Sequence, residues 1–194
     1  MLRPGRLTQS YSLRFAVLLA LVVPASLAEA GECGLPAPDY TAERAVTVGD
    51  STVRMTVHVS ADKEREDARL EGHLRVTIRD ARTRQVVVFD PETQRAVAFM
   101  PPASQGARPT ARMLDEAGPD GTHVRVVQFK RGGTWLDLSR TRCRADGIMI
   151  GKNFVSLDPL GREVQGTVTQ DRISVGVQSP GLFELPPGVR VARP

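Results

Sequence analysis

The sequence is poor in aromatic residues, histidine and cysteine. Of its 194 residues, one is Trp, two are Tyr, six are Phe, three are His and two are Cys. So few aromatic residues argue against a deep aromatic-rich pocket. Two cysteines with no further Cys or His at ligand spacing argue against a zinc site. We therefore expect neither a metal ion nor a cofactor.

The common catalytic motifs are absent as well. There is no Gly-x-Ser-x-Gly elbow, no His-Glu-x-x-His pair and no phosphate-binding loop. The three histidines fall on strand faces or in turns and are expected at the surface: His58, His73 and His123. Three aspartates stand where turns favour Asp: Asp80, Asp90 and Asp158. We predict no catalytic residue and a protein that is not an enzyme.

Long blocks of one charge are also missing. The chain has 26 basic and 22 acidic side chains, a formal net charge of +4. Without residues 1–30 it loses three arginines and one glutamate, so the charge falls to +2. A balanced chain without a basic tail has no electrostatic footprint for nucleic acid, and we expect no nucleic-acid partner.

The apolar run at Phe15–Val23 follows three arginines and ends at Pro24. The small residues of Ala28-Glu29-Ala30 then offer a cleavage site. This order is typical of a secretory signal peptide, and the run is too short to span a bilayer, which needs about 20 residues. We predict a signal peptide at residues 1–30, a single β-rich domain at 31–194, and a periplasmic or secreted protein. A retained membrane anchor is the alternative.

Cys33 and Cys143 both lie in the part that export would retain. Cysteines of exported proteins usually pair, so we predict a disulfide between them. Two alternatives stay open at this point, a pair of free thiols and lipidation of Cys33. Lipidation is disfavoured by Glu32, because a lipobox has a small residue before the cysteine.

Short alternating segments dominate the remainder of the chain. Apolar residues alternate with polar ones from Val53 to Val59 and from Leu74 to Ile78, which is typical of strands with one buried face. Val86–Phe89 is a continuous apolar run, typical of a strand covered on both faces. Gly49-Asp50 and Asp146-Gly147 indicate tight turns between antiparallel neighbours. These patterns predict a mostly β protein.

Two segments are harder to assign. Ala61–Leu70 is rich in helix formers, with acids early and arginine late, so local propensity favours a short exposed helix over a charged edge strand. Pro101–Pro109 and Asp115–Gly121 have the composition of loops.

The order of these segments resembles a known group. Val53–Ser60 is followed by Asp62-Lys63 and Arg65, then by a strand and by Asp90-Pro91; Leu182–Val189 has the Phe-Glu and Pro-x-Gly elements of the group's C-terminal end. The chain resembles exported proteins with a DUF4412-type domain, within the periplasmic lipoprotein-carrier-like group (LolA/LolB-like proteins). The resemblance implies a strongly curved antiparallel sheet, a half-barrel with minor helix or loop cover. It also implies a strand at Ala61–Leu70 and a concave site for acyl chains.

These observations predict a non-enzymatic envelope protein that binds a lipid or an apolar segment on the concave face. The apolar residues predicted to line this site are Met55, Val57, Val76, Ile78, Phe89, Val97 and Phe99. The alternative is a structural or protein-interaction module with a filled core, whose partner would be another envelope protein. After cleavage no transmembrane segment is expected, and the sequence leaves the oligomeric state open.

Overall fold

A computed structural model describes residues 33–34, 37–101, 110–158 and 160–192. The signal peptide predicted at residues 1–30 and residues 102–109 of the predicted loop lie outside this part of the chain, so both stay predictions.

Twelve strands and two short 3-10 turns make up the described fold. The strands are β1 (Tyr40–Val48), β2 (Ser51–Ser60), β3 (Lys63–Leu70), β4 (His73–Asp80), β5 (Gln85–Asp90), β6 (Arg95–Phe99), β7 (Ala111–Ala117), β8 (His123–Arg131), β9 (Thr134–Cys143), β10 (Met149–Leu157), β11 (Glu163–Val175) and β12 (Arg190–Ala192). The 3-10 turns are Pro119–Gly121 and Pro180–Phe183.

All twelve strands join one sheet in the order β12-β6-β5-β4-β3-β2-β1-β11-β10-β9-β8-β7. Every pair is antiparallel except β12 with β6, which is parallel. The edge strands β12 and β7 do not pair with each other, so the sheet is not closed. The predicted fold class, a curved antiparallel sheet with little helix, is confirmed. Within the described ranges, no helix is both long and apolar enough to cross a membrane.

The tight turns lie where the sequence predicts them. Gly49 adopts a positive φ of 56° between β1 and β2, a conformation that glycine reaches without steric cost. Asp146-Gly147 lies in the turn between β9 and β10, with Gly147 N–H bonded to the Arg144 carbonyl. Asp90 and Asp158 accept backbone N–H bonds inside their turns, which explains aspartate at both positions.

Ala61–Leu70 is not a helix, because β3 occupies Lys63–Leu70, paired along its whole length with β4 and over Lys63–Ala68 with β2. Pairing on both sides of the strand outweighs the helix propensity of these residues. Asp115–Gly121 is only partly a loop. Its first three residues end strand β7, which pairs with β8 over seven positions, and only the remainder forms a turn.

The sheet has two faces, and cross-strand pairs fix which residues share one, because directly opposed side chains point to the same side. We call one side the Arg44 face; Ala42, Val57, Glu66, Thr77, Val88 and Val97 form one row across it. We call the other side the Phe183 face; Asp67, Val76, Phe89 and Ala96 form a row across it.

The Phe183 face of β4–β6 is covered by the C-terminal segment. Phe183, in the 3-10 turn Pro180–Phe183, is 7% exposed and packs in one cluster with Val76, Ile78, Phe89 and Ala96. Leu182, Leu185 and Val189 add to the same cluster. The guanidinium of Arg65 donates to the Leu182 carbonyl at 2.9 Å, which fixes the segment over β3.

The Arg44 face of β1 and β9–β11 is covered by other segments. Cys33 forms a disulfide with Cys143, with a Cα–Cα distance of 5.9 Å, and both cluster with Met149, Phe154 and Val168. Ile148, in the β9–β10 turn, packs with Tyr40 and Ala42 and is fully buried. Gly166 lies opposite Phe154, whose ring occupies the place that a Cβ would need.

We expect Phe183→Ala to lower the free energy of unfolding by about 3 kcal/mol, because it empties a buried aromatic site in the Phe183 cluster. Urea unfolding measures this loss, and limited proteolysis should cut residues 180–192 first. Val177→Ala is the control, since Val177 is 94% exposed and packs against little. Equal stability of the two variants would mean that the C-terminal segment does not hold the sheet.

Candidate functional site

Four charged side chains form a closed ring at the centre of the Arg44 face. Arg44 on β1 donates to Glu64 at 3.0 Å and to Glu66 at 3.1 Å, both on β3. Arg79 on β4 donates to the same two carboxylates, at 3.1 Å and 2.6 Å. Each arginine therefore binds both glutamates, and the ring carries no net charge.

Burial distinguishes this ring from ordinary surface ion pairs. The side chain of Arg44 is 10% exposed, that of Glu66 15%, that of Arg79 19% and that of Glu64 27%. Arg44 also donates through Nε to Gln170 Oε1 at 3.1 Å, and buried Gln170 donates to the Met149 carbonyl at 2.8 Å. The network thus runs from Arg79 on β4 to the Met149 carbonyl at the start of β10. The oxygen and the nitrogen of the buried Gln170 side chain both form hydrogen bonds in it.

The ring also covers part of the core. Its bonds run from β1 to β3, so they cross the intervening strand β2 near Val57. Val57 has no exposed surface, although it lies on this face between charged neighbours. Side chains of alternate strands meet above a middle strand most easily where a sheet curves inward, so this contact fits a concave Arg44 face.

The ring shifts the ionisation of its members. Burial alone would raise the pKa of Glu64, but the charges of Arg44 and Arg79 outweigh it and hold that pKa below its ordinary value. Burial alone would lower the pKa of Arg44 and of Arg79, and the two glutamates raise both instead. All three groups therefore keep their charge at neutral pH. The charged pairs between the arginines and the glutamates hold the ring together.

Beyond the ring lies an apolar patch on β5 and β6, which we call the β5–β6 patch. Val86 lies opposite Phe99, and Val88 lies opposite Val97, all on the Arg44 face. Val86 is buried, Val88 and Phe99 are half-buried, and Val97 is 39% exposed. An accessible apolar surface next to a fixed charged network is a surface that can accept an apolar ligand.

The structure divides the seven predicted lining residues between the two faces. Met55, Val57, Val97 and Phe99 lie on the Arg44 face. Val76, Ile78 and Phe89 lie on the Phe183 face, inside the cluster covered by the C-terminal segment. The seven therefore do not form one surface.

The histidines do not converge on a common site. His58 contacts the Thr41 hydroxyl and the Gln178 amide, His73 pairs with exposed Glu92, and His123 bonds the Cys33 carbonyl. In the described part of the chain no three His, Cys, Asp or Glu residues are grouped to hold a metal ion.

Sequence reasoning missed the ring, although a signal for it exists. Glu64 and Glu66 are two residues apart, so a strand would place both carboxylates on one face. Two acids on the buried face of a strand require cations within reach on the same face of the sheet. Arg44 and Arg79 answer this requirement, but only the register identifies them among the chain's arginines.

Comparison with known proteins supports the fold. No protein-family model and no curated protein sequence matches the chain. An uncharacterized conserved protein from Thermus thermophilus has a similar structure, with a TM-score of 0.52 and 15% sequence identity over 81% of this chain and 91% of that one. At this identity the likeness concerns the fold alone.

Two further structures are more distant. A LolA superfamily protein from Nitrosomonas europaea has a TM-score of 0.43 at 10% identity, over 79% of this chain and 93% of that one. A domain from Vibrio parahaemolyticus, assigned by its name to outer membrane lipoprotein sorting, has a TM-score of 0.37 at 11% identity, over 75% and 89%. LolA-type proteins thus occur among the structural neighbours, but scores this low carry no argument about function. The DUF4412 assignment stays a prediction.

We expect Arg44→Met to lower the free energy of unfolding by about 3–5 kcal/mol, because it removes one partner of a buried ion pair and leaves Glu64 and Glu66 undercompensated. Chemical denaturation measures the loss. Arg172→Met is the matched control, since Arg172 pairs with Glu43 at the surface and such pairs contribute about 0–1 kcal/mol. Similar losses in both variants would contradict a special role for the ring.

The ring also predicts a dependence on pH. Because the folded-state pKa of Glu64 lies below the ordinary 4.5, its contribution to stability is complete above about pH 4.5 and is lost as the pH falls through the folded value. We expect Glu64→Gln to flatten the fall in melting temperature below pH 4.5. Glu43→Gln, at an exposed pair, should leave the slope unchanged. An unchanged slope in Glu64→Gln would show that other carboxylates cause the acid lability.

Proposed function

We propose that the protein is a non-enzymatic binding protein of the cell envelope, which takes a lipid acyl chain or another apolar segment on the Arg44 face. In this proposal residues 1–30 are removed on export, residues 31–194 form one β-rich domain, and the Arg44 face is the concave side of the sheet. The observation that carries the proposal is the partly exposed β5–β6 patch.

The chemistry of the patch fits such a ligand. An acyl chain has no hydrogen-bonding groups, so its site needs apolar lining and little else. Val88, Val97 and Phe99 present apolar surface on adjacent strands, and the opposite side of these strands is already covered by the C-terminal segment. The patch is therefore the side of β5 and β6 on which a ligand has room.

The disulfide supports the proposed location. Disulfides persist in oxidising compartments and are rare in the cytosol. Cys33 stands close behind the predicted cleavage site, and its bond to Cys143 ties the start of the exported chain to the end of β9. A chain fixed in this way suits a periplasmic or secreted protein.

A second function is favoured by a different observation. The ring fills the centre of the Arg44 face, and the Phe183 cluster fills the other side of β4–β6. A sheet filled in this way suits a structural or protein-interaction module that meets an envelope partner through its surface. The experiment below separates the two functions.

We expect Val97→Glu to weaken binding of the fluorescent fatty acid cis-parinarate by about tenfold or more, because a carboxylate would then lie against the acyl chain. Val191→Glu is the matched control. It is also a partly exposed valine, 48% exposed against 39% for Val97, but it lies on the neighbouring strand β12, aligns with Ala96 and so lies on the Phe183 face. Fluorescence titration measures both affinities.

Native mass spectrometry of protein purified from the periplasm provides an independent result. A lipid-mass adduct that is reduced in Val97→Glu supports the binding function. A wild-type protein without an adduct and without affinity for cis-parinarate contradicts it and favours the interaction module. Equal losses in both variants would place the ligand elsewhere than the β5–β6 patch.

A further inference from the structure

The two edges of the sheet are protected to different degrees. β12 is three residues long, and a short edge strand offers little backbone to another chain. β7 is seven residues long and pairs with β8 without a register shift. Its sequence, ARMLDEA, contains no proline or lysine, which protect many edge strands, and its charged residues are Arg112, Asp115 and Glu116. Among the described residues, no strand pairs with the outer edge of β7.

The backbone of β7 presents alternate residues to the outside. The Thr110 carbonyl accepts from Lys130, and Gly118 N–H donates to the Thr122 carbonyl, so even-numbered residues form the hydrogen-bonded pairs with the chain beside them. In an antiparallel ladder the residues between them direct their N–H and C=O groups away from that neighbour. The outward-facing residues of β7 are therefore the odd-numbered ones: Ala111, Met113, Asp115 and Ala117.

We infer that β7 pairs antiparallel with the β7 of a second copy of this chain, about a two-fold axis at Leu114. This surface and partner are independent of the proposed ligand function. Two paired strands form hydrogen bonds only where residues whose backbone groups point outward lie opposite each other. In β7 these residues are the odd-numbered ones, so a two-fold axis must pass through a residue and cannot pass between two. With the axis at Leu114, Arg112 lies opposite Glu116 of the second copy, twice over by symmetry.

The other centred registers lack this complementarity. An axis at Met113 places Arg112 opposite Leu114, and an axis at Asp115 places Glu116 opposite Leu114. A parallel arrangement in register places each charge opposite its own kind, which is unfavourable. Only the axis at Leu114 pairs Arg112 with Glu116, the two charged residues on the face of β7 that also carries Leu114. It also places small residues, Ala111 and Ala117, at the two ends.

Arg112 is already held in position for such a contact. Its Nε donates to Gln128 at 2.8 Å, and its guanidinium carbon lies 4.3 Å from the centroid of the Trp135 ring. No carboxylate in the described ranges pairs with Arg112. Because its side chain is fixed before binding, little rotamer entropy is lost on pairing.

The acidic partners have their own support. Glu116 accepts from Arg140 through Oε2 at 2.7 Å, which leaves Oε1 for the incoming arginine. Asp115, on the other face, is bound through both oxygens by Arg125, whose hydrogen bonds lower the pKa of Asp115. With the axis at Leu114, the residue opposite Asp115 is the uncharged Met113 of the second copy. The charge of Asp115 is compensated by Arg125 of its own chain.

The test is a site-specific cross-link. The native cysteines are joined to each other, so a single added cysteine is the only free thiol among the described residues. In Leu114→Cys the two new cysteines meet on the axis as a non-hydrogen-bonded pair, with Cα atoms about 4.5 Å apart, which a disulfide can bridge. We expect rapid oxidation to a covalent dimer, detected by non-reducing electrophoresis.

Arg112→Cys is the matched control. Its cysteine lies opposite Glu116, so the two copies of residue 112 are four residues apart, about 14 Å along the strand, and cannot form a disulfide. Equal cross-linking of both variants would overturn the register. Failure of Leu114→Cys to cross-link, together with a monomeric mass of the wild-type protein in light scattering at high concentration, would overturn the pairing.

A second variant tests the edge without adding a thiol. Met113 directs its N–H outward, so Met113→Pro removes no bond to β8 and blocks an incoming strand. We expect light scattering to give a monomer for Met113→Pro and a dimer for Met113→Ala. Circular dichroism and the intact Cys33–Cys143 bond verify that both variants are folded. A dimer that survives Met113→Pro would show that the copies associate elsewhere.

Discussion

The buried ring of Arg44, Glu64, Glu66 and Arg79 is the constraint on which the centre of the sheet depends. Removing four charges from water is costly, and the cost is offset only when every charge has a partner at close range. The ring meets this condition because each arginine binds both glutamates. A slip of one residue in β3 would break the ring, because both glutamates would then point to the other face. The ring thus specifies the alignment of β1, β3 and β4.

The two halves of the sheet are buried on opposite faces, and the ring lies where burial changes side. On β1 and β9–β11 the buried side is the Arg44 face, which is covered by the disulfide and the β9–β10 turn. On β4–β6 it is the Phe183 face, covered by the C-terminal segment. Three apolar residues of β5 and β6 that point to the Arg44 face, Val88, Val97 and Phe99, belong to none of these clusters and stay partly exposed, whereas Val86 beside them is buried.

Much of the fold could be predicted from the sequence, because strands and turns are encoded locally. Alternation in Val53–Val59 and turn residues such as Gly49-Asp50 each act within a few positions. Lys63–Leu70 shows the limit: its residues favour a helix in isolation, and pairing with β2 and β4 decides otherwise. The candidate functional site was harder to predict than the fold. Alternation shows which residues of one strand share a face, but Val57 and Val76 could be assigned to opposite faces only from the register between strands.

The position of β7 in the sheet order bears on how ligand binding and pairing could coexist. β7 and the β5–β6 patch lie near opposite ends of the strand order, with β1 and the ring between them. A two-fold axis at Leu114 joins the two copies at β7, and eight strands of each copy separate β7 from β5 in the strand order. Pairing through β7 thus uses no residue of the β5–β6 patch in either copy. The same chain can carry both features because the pairing uses the backbone and side chains of β7, whereas the patch uses side chains of β5 and β6.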